Sequence, residues 1–267
     1  MKYAIVNDEK IEATKGAKGC CPSCGSELAA HCGDVYANHW KHKGNRNCDT
    51  WWENETDWHR SWKNSFPKEW QEIIQTDKKS GEKHIADVKT DSDWVLEFQH
   101  SYIKLEERRS RDAFYPKLAW VLDGTRRKRD KSNFLRILDE FSILSDDARF
   151  KAILGQDDCK LIKEWHESNA LVFLDFKDVD EKNQSILWFL FPKIARDEAH
   201  LLPLRRDYFI ELHNKNKFDE LVKKTISPFI KKLIHNEKMK EERAGFMEME
   251  RNARMDLLIY GKRRRRF

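Results

Sequence analysis

Residues 84–99 read HIADVKTDSDWVLEFQ, two apolar runs with a short polar turn between them. Runs of this length, bounded by Asp and Ser, predict the two strands of a hairpin. Asp87 lies inside the first run and Glu97 inside the second, where charged side chains are unexpected. Because side chains alternate along a strand, Gln99 shares a face with Glu97. The stretch therefore predicts a hairpin that carries two carboxylates and an amide.

This pair of carboxylates is a candidate metal site. Two carboxylates on adjacent strands repel each other unless a cation lies between them, and Mg²⁺ binds to a few carboxylates, waters and phosphate oxygens. We expect Asp87 and Glu97 to hold Mg²⁺ or Mn²⁺, which can activate water and stabilise charge on phosphate. Gln99 is expected to orient that water or to bond a phosphate. The alternative is a pair of carboxylates on a solvent-exposed sheet face.

A helix with an aromatic face is predicted upstream of the hairpin. Mostly aromatic residues recur at spacings of three and four until Pro67 ends the pattern: Trp51, Trp52, Glu55, Trp58, His59, Trp62 and Phe66. Glu55, His59 and Lys63 follow one another at intervals of four and form one polar stripe. Glu55 is a candidate third acidic residue near the metal, and His59 and Lys63 are candidate phosphate ligands. The alternative is a solvated stripe.

Downstream elements complete a predicted core. Residues 70–75 predict a strand, residues 103–115 a helix that Pro116 ends, and residues 118–123 a central strand. The order over residues 51–136 is then helix, strand, strand, strand, helix, strand, in the α/β (α+β) class.

Further candidate phosphate ligands follow the hairpin. Ser101 comes just after the second strand, and Arg111 and Tyr115 lie four residues apart on the next helix, where they can face one phosphate. The alternative for this pair is an ordinary amphipathic helix.

Beyond Arg136 the pattern is weaker. We expect helices at residues 134–144 and 158–165, a strand hairpin at 170–176 and 185–191, and one or two amphipathic helices over 218–255. The region 137–267 is expected to be mixed and mostly helical, and either to extend the core or to bind DNA or a partner. Its apolar stripe suits homo-oligomer or partner contacts, and core packing explains it equally well.

The N-terminal part has a pattern of metal ligands. Cys21-Pro-Ser-Cys24 is a knuckle that places two thiolates on one side of a metal, and the following glycine lets the backbone fold back. Tetrahedral zinc takes four nitrogen or sulfur ligands. We expect structural zinc bound by Cys21, Cys24, His42 and Cys48, with His39 as the alternate.

Two further cysteines, Cys20 and Cys32, rank lower as ligands. Cys20 adjoins the knuckle and is expected to point away from the metal, and Cys32 lies in a turn. Residues 20–48 have few large aliphatic side chains, so they cannot build a core alone and need a cross-link such as a bound metal. Ordinary reduced cysteines are the alternative. Residues 1–12 predict a strand or a hairpin.

Composition limits the class of protein. The chain has 267 residues, 39% apolar and 36% charged, with a net charge of +5. No apolar stretch approaches the roughly 20 residues that a membrane helix needs, and the N-terminus has no signal-peptide pattern. We therefore expect a cytoplasmic protein with reduced cysteines and no membrane partner.

Two basic blocks favour an anionic partner. Residues 126–129 and 262–266 are runs of Lys and Arg, which can neutralise the phosphates of DNA; solvated loops are the alternative. The expected domains are a zinc module (1–50), a core (51–136) and a C-terminal region (137–267).

Several motifs in this order resemble the CoiA-like competence protein family. The resemblance runs from Cys21 to about Asp123 and rests on these motifs: Cys21-Pro-Ser-Cys24-Gly, His39-Trp-Lys-His42, the Glu55/His59/Lys63 stripe, Ala86-Asp87-Val, Glu97-Phe-Gln99-His-Ser101, Arg111-Asp-Ala-Phe-Tyr115 and Trp120-Val-Leu-Asp123. The family pattern reads His-Phe-Ala-His where this chain has His-Trp-Lys-His, which keeps both histidines.

The resemblance implies a PD-(D/E)XK nuclease-like fold, with Glu55, Asp87, Glu97 and Gln99 acting in metal binding and phosphodiester hydrolysis. Gln99 stands where that superfamily usually has a lysine. The function expected from it is a metal-dependent DNA nuclease in competence, recombination or anti-phage defence. The alternatives are a DNA-binding recombination accessory that does not cut, and a subunit of a larger defence complex.

Overall fold

Two sheets organise the described part of the chain. The computed structural model describes residues 1–33, 37–44, 55–77, 81–140, 142–144, 149–154, 156–180, 182–195 and 198–263. Within them, the strands form one sheet of five and one of nine. Both sheets belong to a unit of residues 1–192 and 197–218, and a second unit comprises residues 193–196 and 219–267. The chain is therefore of mixed α and β class, as the sequence predicts.

The smaller sheet is antiparallel and has the order β2-β1-β3-β4-β5. Its strands are β1 (Tyr3–Val6), β2 (Glu9–Glu12), β3 (Lys18–Cys20), β4 (Glu27–His31) and β5 (His39–His42). The predicted N-terminal hairpin is β1–β2. A small core is formed by Met1, Ala4, Ala13, Cys21, Leu28 and Trp40. The first three precede the Cys/His-rich segment, which therefore packs its apolar side chains against the hairpin.

The larger sheet has the order β10-β11-β14-β13-β12-β9-β8-β7-β6. Its strands are β6 (Gln71–Thr76), β7 (Lys83–Lys89), β8 (Val95–Gln99), β9 (Leu118–Asp123), β10 (Ser142–Leu144), β11 (Lys151–Leu154), β12 (Leu171–Val179), β13 (Ser185–Leu190) and β14 (Glu198–Arg205). The helices of this unit are α1 (Asp57–Lys63), α2 (Leu105–Phe114), α3 (Asp130–Glu140), α4 (Lys160–Trp165) and α5 (Arg206–Asn214), with 3-10 turns at Lys68–Trp70 and Gln156–Asp158. β8, β9 and β12 are parallel neighbours, and the other pairs are antiparallel.

Aromatic side chains cover both faces of the central strands. On one face Trp120 packs against Trp165, and Phe134 stacks on Phe176. On the other face Trp62 of α1 stacks on Phe98 and meets the edge of Phe209 in α5. The central strands are therefore buried on both sides, as their apolar composition predicts.

The order of elements predicted from residue 51 to residue 123 is confirmed: α1, β6, β7, β8, α2, β9. Three details of the prediction are wrong. Trp70 belongs to a 3-10 turn rather than to the strand. Glu55 precedes α1, because Thr56 is the N-cap and its side chain accepts the His59 N–H. The helix predicted over residues 134–144 ends at Glu140, and Ser142–Leu144 pairs with β11.

The sheet continues across residue 136. β9 pairs in parallel with β12, where Ala119 lies opposite Leu171. The predicted hairpin β12–β13 is present, while β11, β14 and α5 were not predicted. Of the roles that the sequence leaves open for residues 137–267, residues 142–214 take that of extending the core.

The second unit is helical from residue 219 onward, and its first helix starts with the last residue of the first unit. A short helix α6 (Phe218–Leu221) leads into a π-helical turn (Val222–Ile226) and then a long helix α7 (Ser227–Arg263), as the pattern over residues 218–255 predicts. None of the helices in the described ranges combines the length and apolar composition needed to cross a bilayer.

Candidate functional site

Three carboxylates stand in one row across β6, β7 and β8. The register pairs Gln71 with Val88 and Ile73 with Ala86, so Glu72 stands across from Asp87. On the other side Val88 pairs with Leu96, so Glu97 occupies the next position across from Asp87. β7 and β8 pair at two positions only and their ladder ends at this row. The row is therefore at the point where the two strands cease to pair.

Asp87 is held by α1 and by β8. Its Oδ2 lies 2.7 Å from His59 Nε2 and accepts the Phe98 N–H at 3.0 Å. Its Oδ1 lies 3.3 Å from Lys63 Nζ. The predicted stripe on α1 thus reaches the predicted metal ligand, because the 3.6-residue period brings His59 and Lys63 to one side of the helix.

Lys63 lies at the centre of a buried ion cluster. Its Nζ is 2.9 Å from Glu72 and 3.4 Å from Glu55, in addition to its contact with Asp87. Glu55 also pairs with Arg60 at 3.0 Å. Glu55 is therefore linked to Asp87 through Lys63, and Glu72 is a member of the cluster that the sequence did not reveal.

The cluster shifts the pKa of its members strongly. Burial raises the pKa of Asp87, but His59, Lys63 and the Phe98 N–H lower it by more, so the carboxyl stays ionised well below its usual range. Burial also raises the pKa of Glu72, while Lys63, the chain's amino terminus and two backbone N–H groups bring it to about 2. Burial lowers the pKa of Lys63, and its carboxylate partners raise it well above the ordinary value.

Glu97 has a different partner. It is buried, and Arg111 of α2 donates to its Oε2 at 3.1 Å and to Glu107 at 2.6 Å. Burial lowers the pKa of Arg111, but Glu97 and Glu107 raise it above the ordinary value. Gln99 is also buried, and its Nε2 donates to the carbonyl and hydroxyl oxygens of Ser101 at 3.2 and 3.4 Å. Arg111 therefore positions one carboxylate of the row.

The predicted phosphate ligands differ in exposure. Ser101 is exposed, whereas His59, Lys63, Arg111 and Tyr115 are buried. Tyr115 packs in the core with its ring against Phe114. The polar groups of the other three buried residues contact carboxylates. In this arrangement they hold the row, rather than facing solvent.

The zinc knuckle is a separate centre. Ligand atoms of Cys21, Cys24 and His42 lie within 4.8 Å of one another and can hold a metal ion. Cys24 Sγ is 3.4 Å from His42 Nε2. Gly25 adopts φ +72° and its N–H donates to the Cys21 carbonyl at 2.9 Å, so the glycine turns the chain as the sequence predicts.

The remaining candidate ligands lie elsewhere. His39 stacks on His31 and its Nδ1 is 2.9 Å from the Ala37 carbonyl. Cys32 contacts the Ala13 carbonyl, and Cys20 is exposed on β3. Between the two histidines the structure therefore selects His42. Cys48 lies outside the described residues.

The pKa values of the Cys21 and Cys24 thiols are shifted in opposite directions. Burial raises the pKa of Cys21, and it also raises that of Cys24, but there hydrogen bonds from Ser26, His42 and Cys21 dominate and bring the pKa to about 6. A thiol with a lowered pKa is a good metal ligand, because the thiolate is the binding form.

The basic block at residues 126–129 is only partly available to a ligand. Arg127 contacts Asp130 at 2.6 Å and Glu164 at 3.0 Å, and Arg126 contacts Glu164 at 3.3 Å. Lys128 and Arg129 are exposed. Of the second block, residues 264–266 lie outside the described ranges.

Among the described residues, Cys21, Cys24 and His42 are the one group of three or more His, Cys, Asp or Glu side chains with ligand atoms this close. Glu55, Asp87 and Glu97 do not form such a group. Comparisons with protein-family models, with curated proteins and with solved structures found no match.

Proposed function

We propose that this chain is a metal-dependent nuclease that hydrolyses phosphodiester bonds in DNA. The observation that carries the proposal is the row of Glu72, Asp87 and Glu97 at the point where β7 and β8 cease to pair. Glu72 and Glu97 are buried and Asp87 is half-buried. Burying carboxylates in adjacent strands is costly, and a metal site that binds phosphate oxygens is one reason to keep them.

The topology supports the proposal. One helix, three antiparallel strands, a crossover helix and a parallel strand follow one another from α1 to β9. This is the order expected of a PD-(D/E)XK core and of the CoiA-like family, which the motifs resemble. That resemblance is also the ground for proposing DNA as the substrate.

The donor chemistry of the row fits Mg²⁺ or Mn²⁺. Asp87 and Glu97 would hold the ion, since they supply the hard oxygen donors that both metals take. The ion would supply the charge that activates water and stabilises the phosphate. Lys63 and Arg111 now offset the negative charge of these two carboxylates, so metal binding competes with two protein cations.

Other residues of the chain would orient the two carboxylates that hold the ion. His59 and the Phe98 N–H fix the rotamer of Asp87, and Arg111 fixes that of Glu97. Lys63 brings an ammonium to the site, which Gln99 cannot provide. An ammonium beside the reacting phosphate stabilises developing negative charge.

A structural zinc is proposed for the knuckle. Cys21, Cys24 and His42 supply three of the four ligands that tetrahedral zinc requires, and Cys48 remains the proposed fourth.

The test is a cleavage panel. Single-stranded, duplex and branched DNA and RNA are incubated with Mg²⁺, Mn²⁺ or chelator, and wild type is compared with Asp87→Ala and Glu97→Ala. We expect metal-dependent cleavage by wild type and at least a hundredfold loss, about 3 kcal/mol of transition-state stabilisation, in each variant. Circular dichroism checks that the variants are folded. Undiminished cleavage by folded Asp87→Ala would sink the assignment.

A second candidate is a DNA-binding accessory that does not cut. It is favoured by Gln99 at the usual lysine position and by the ion pairs that already compensate Asp87 and Glu97. Wild-type protein that binds DNA with a steep salt dependence, yet leaves every substrate intact with either metal, would establish this candidate instead.

A further inference from the structure

A second polar corner lies at the carboxyl ends of three parallel strands. β8, β9 and β12 run in the same direction. His100 follows β8, Asp123 ends β9, and Asp175, opposite Asp123, is the last residue of β12 that pairs with β9. Ligands of open α/β sheets bind beyond this edge of the strands. None of these three residues belongs to the carboxylate row described above.

Asp123 organises the corner. It is 2% exposed, and its Oδ1 accepts the N–H and the hydroxyl of Thr125 at 2.8 and 2.6 Å. Its Oδ2 lies 2.9 Å from His100 Nδ1. The carboxylate is thus turned inward and fixes the ring of His100, whose side chain is 34% exposed.

Asp175 is turned inward as well. It is 2% exposed, and its Oδ2 accepts the indole N–H of both Trp58 and Trp62 at 3.0 Å. Its Oδ1 accepts the backbone N–H of Lys177 at 3.0 Å. Neither Asp123 nor Asp175 therefore faces solvent. The groups exposed at this corner are residues that these two carboxylates bond, among them His100 and Lys177.

Lys177 occupies a strained backbone position at this corner. The register between β12 and β13 shifts from Leu174 to Asp178, and Lys177 within this irregular stretch has φ +56°. Glycine or asparagine adopts that conformation more readily than lysine. Such outliers cluster at functional sites.

The ammonium of Lys177 is held in place by Thr125 and remains accessible to solvent. Its Nζ donates to Thr125 Oγ1 at 2.8 Å and lies 3.9 Å from Asp123 Oδ2, and the side chain remains 53% exposed. The irregular stretch also buries Phe176, which stacks on Phe134 at 4.2 Å. That packing does not require a lysine at the next residue.

We propose that Lys177, with His100 beside it, binds one phosphate group of the nucleic-acid strand. An ammonium has three N–H donors, and contacts to phosphates fix the position of a strand without reading its sequence. α1 connects this corner to the carboxylate row, because Trp58 bonds to Asp175 while the adjacent His59 bonds to Asp87. The inference rests on the proposed function, since it names a further contact of the same substrate.

The test measures binding rather than cleavage. Fluorescence anisotropy with a labelled single-stranded oligodeoxynucleotide, and with its duplex, is recorded over a series of salt concentrations in chelator. The proteins are wild type, Lys177→Asn, Lys177→Arg and the control Lys215→Asn. Lys215 is a comparably exposed lysine with one acidic partner, Glu211.

We expect Lys177→Asn to reduce the slope of log K against log salt by about 0.7 for the single strand and about 0.9 for the duplex. Lys177→Arg and Lys215→Asn should keep the wild-type slope. The melting temperature of Lys177→Asn should not fall, because asparagine tolerates the left-handed backbone. A merely structural lysine would lower stability and leave the slope unchanged.

The outcomes separate this site from the nuclease assignment. A wild-type slope in folded Lys177→Asn overturns the phosphate site, whether or not the protein cuts DNA. A reduced slope in a protein that never cuts supports the phosphate site and overturns the nuclease assignment. Wild-type protein that binds neither probe overturns the phosphate site, and the cleavage panel then decides the nuclease assignment separately.

Discussion

Glu72 combines a buried charge with a strained backbone. It has φ +48° and is 6% exposed, although β-strand residues with a side chain rarely adopt positive φ. In return its carboxylate accepts the N–H groups of Lys2 and Tyr3 at 2.7 and 3.0 Å and pairs with Lys63 at 2.9 Å. Several charge-assisted hydrogen bonds thus offset the cost of one unfavourable conformation.

These bonds make stability depend on acid pH. The pKa of Glu72 falls from 4.5 to about 2 on folding: burial opposes the shift, while Lys63, the amino terminus and two backbone N–H groups drive it. A lowered pKa stabilises the fold above the unfolded value, and this stability is lost as pH falls through the folded value. Asp87, whose pKa is also lowered, acts with the same sign. Urea unfolding from neutral pH down to about 2 should show a decline that begins near pH 4.5.

The variant Glu72→Gln isolates this contribution. We expect it to lower the free energy of unfolding at neutral pH by roughly 3 kcal/mol, because a buried ion pair loses one partner. Its decline below pH 4.5 should be shallower than that of wild type. An equally steep decline would assign the acid sensitivity to other carboxyls.

At the scale of single residues, the sequence revealed some of the charged side chains that the sheet carries inward. Asp87 and Glu97 are conspicuous because each interrupts an apolar run. Glu72 is not, because its neighbours in β6 include polar residues. Asp175 interrupts the run LVFLDF and has the same local signature as Asp87, but its partners on α1 are more than a hundred residues away in sequence, and no local pattern reveals them.

The Cys21–Cys24 knuckle is an element whose stability should depend on metal. Two of its ligands, Cys21 and Cys24, lie in the turn between β3 and β4, and the third, His42, lies on β5 and pairs with Leu28 of β4. A bound metal would therefore link the turn to β5. Cys21→Ser and His42→Ala should therefore lower the metal content below the roughly one zinc per chain expected of wild type. Cys32→Ser is the matched control, because Cys32 is outside the ligand group. Emission spectrometry of the purified proteins measures the metal, and equal zinc in wild type and Cys21→Ser would contradict the site.

The predicted elements were wrong where pairing in the sheet overrode the local preference of the sequence. β14 contains Pro203, and proline argues against a central strand. In the structure β14 pairs with β11 only up to Leu201, so Pro203 lies beyond that ladder and its missing N–H costs no bond on that side. The helical spacing from Phe134 continues to Leu144 in the sequence, but the last residues pair with β11 instead.

At the scale of the molecule, the two sheets of the first unit should unfold together. Besides the bonds to Glu72, Lys2 Nζ donates to Gln71 at 2.9 Å and Tyr3 donates its hydroxyl proton to the same side chain at 3.1 Å. Both sheets lie in one contact unit. Hydrogen-exchange mass spectrometry in urea should give coincident midpoints for β1–β4 and for β7–β9. Two separated midpoints would mean that the zinc module is an independent domain.

The order of the core elements could be predicted because each element from α1 to β9 has its own periodicity. The full sheet could not, because β12 joins it by pairing with β9, and β11 joins it by pairing with β14, and both pairings are between segments that are distant in sequence. Parallel strands in particular carry no short turn that would identify their neighbours.

The bond from Trp58 and Trp62 to Asp175 has a consequence for synthesis on the ribosome. The two indole donors and their acceptor are separated by 117 and 113 residues. A nascent chain that has emerged only as far as β9 already contains His59, Lys63, Asp87 and Glu97, yet it lacks the carboxylate that accepts both indole N–H groups of α1. A prematurely terminated product would therefore carry the carboxylate row on β6, β7 and β8, while α1 would lack its two hydrogen bonds to β12.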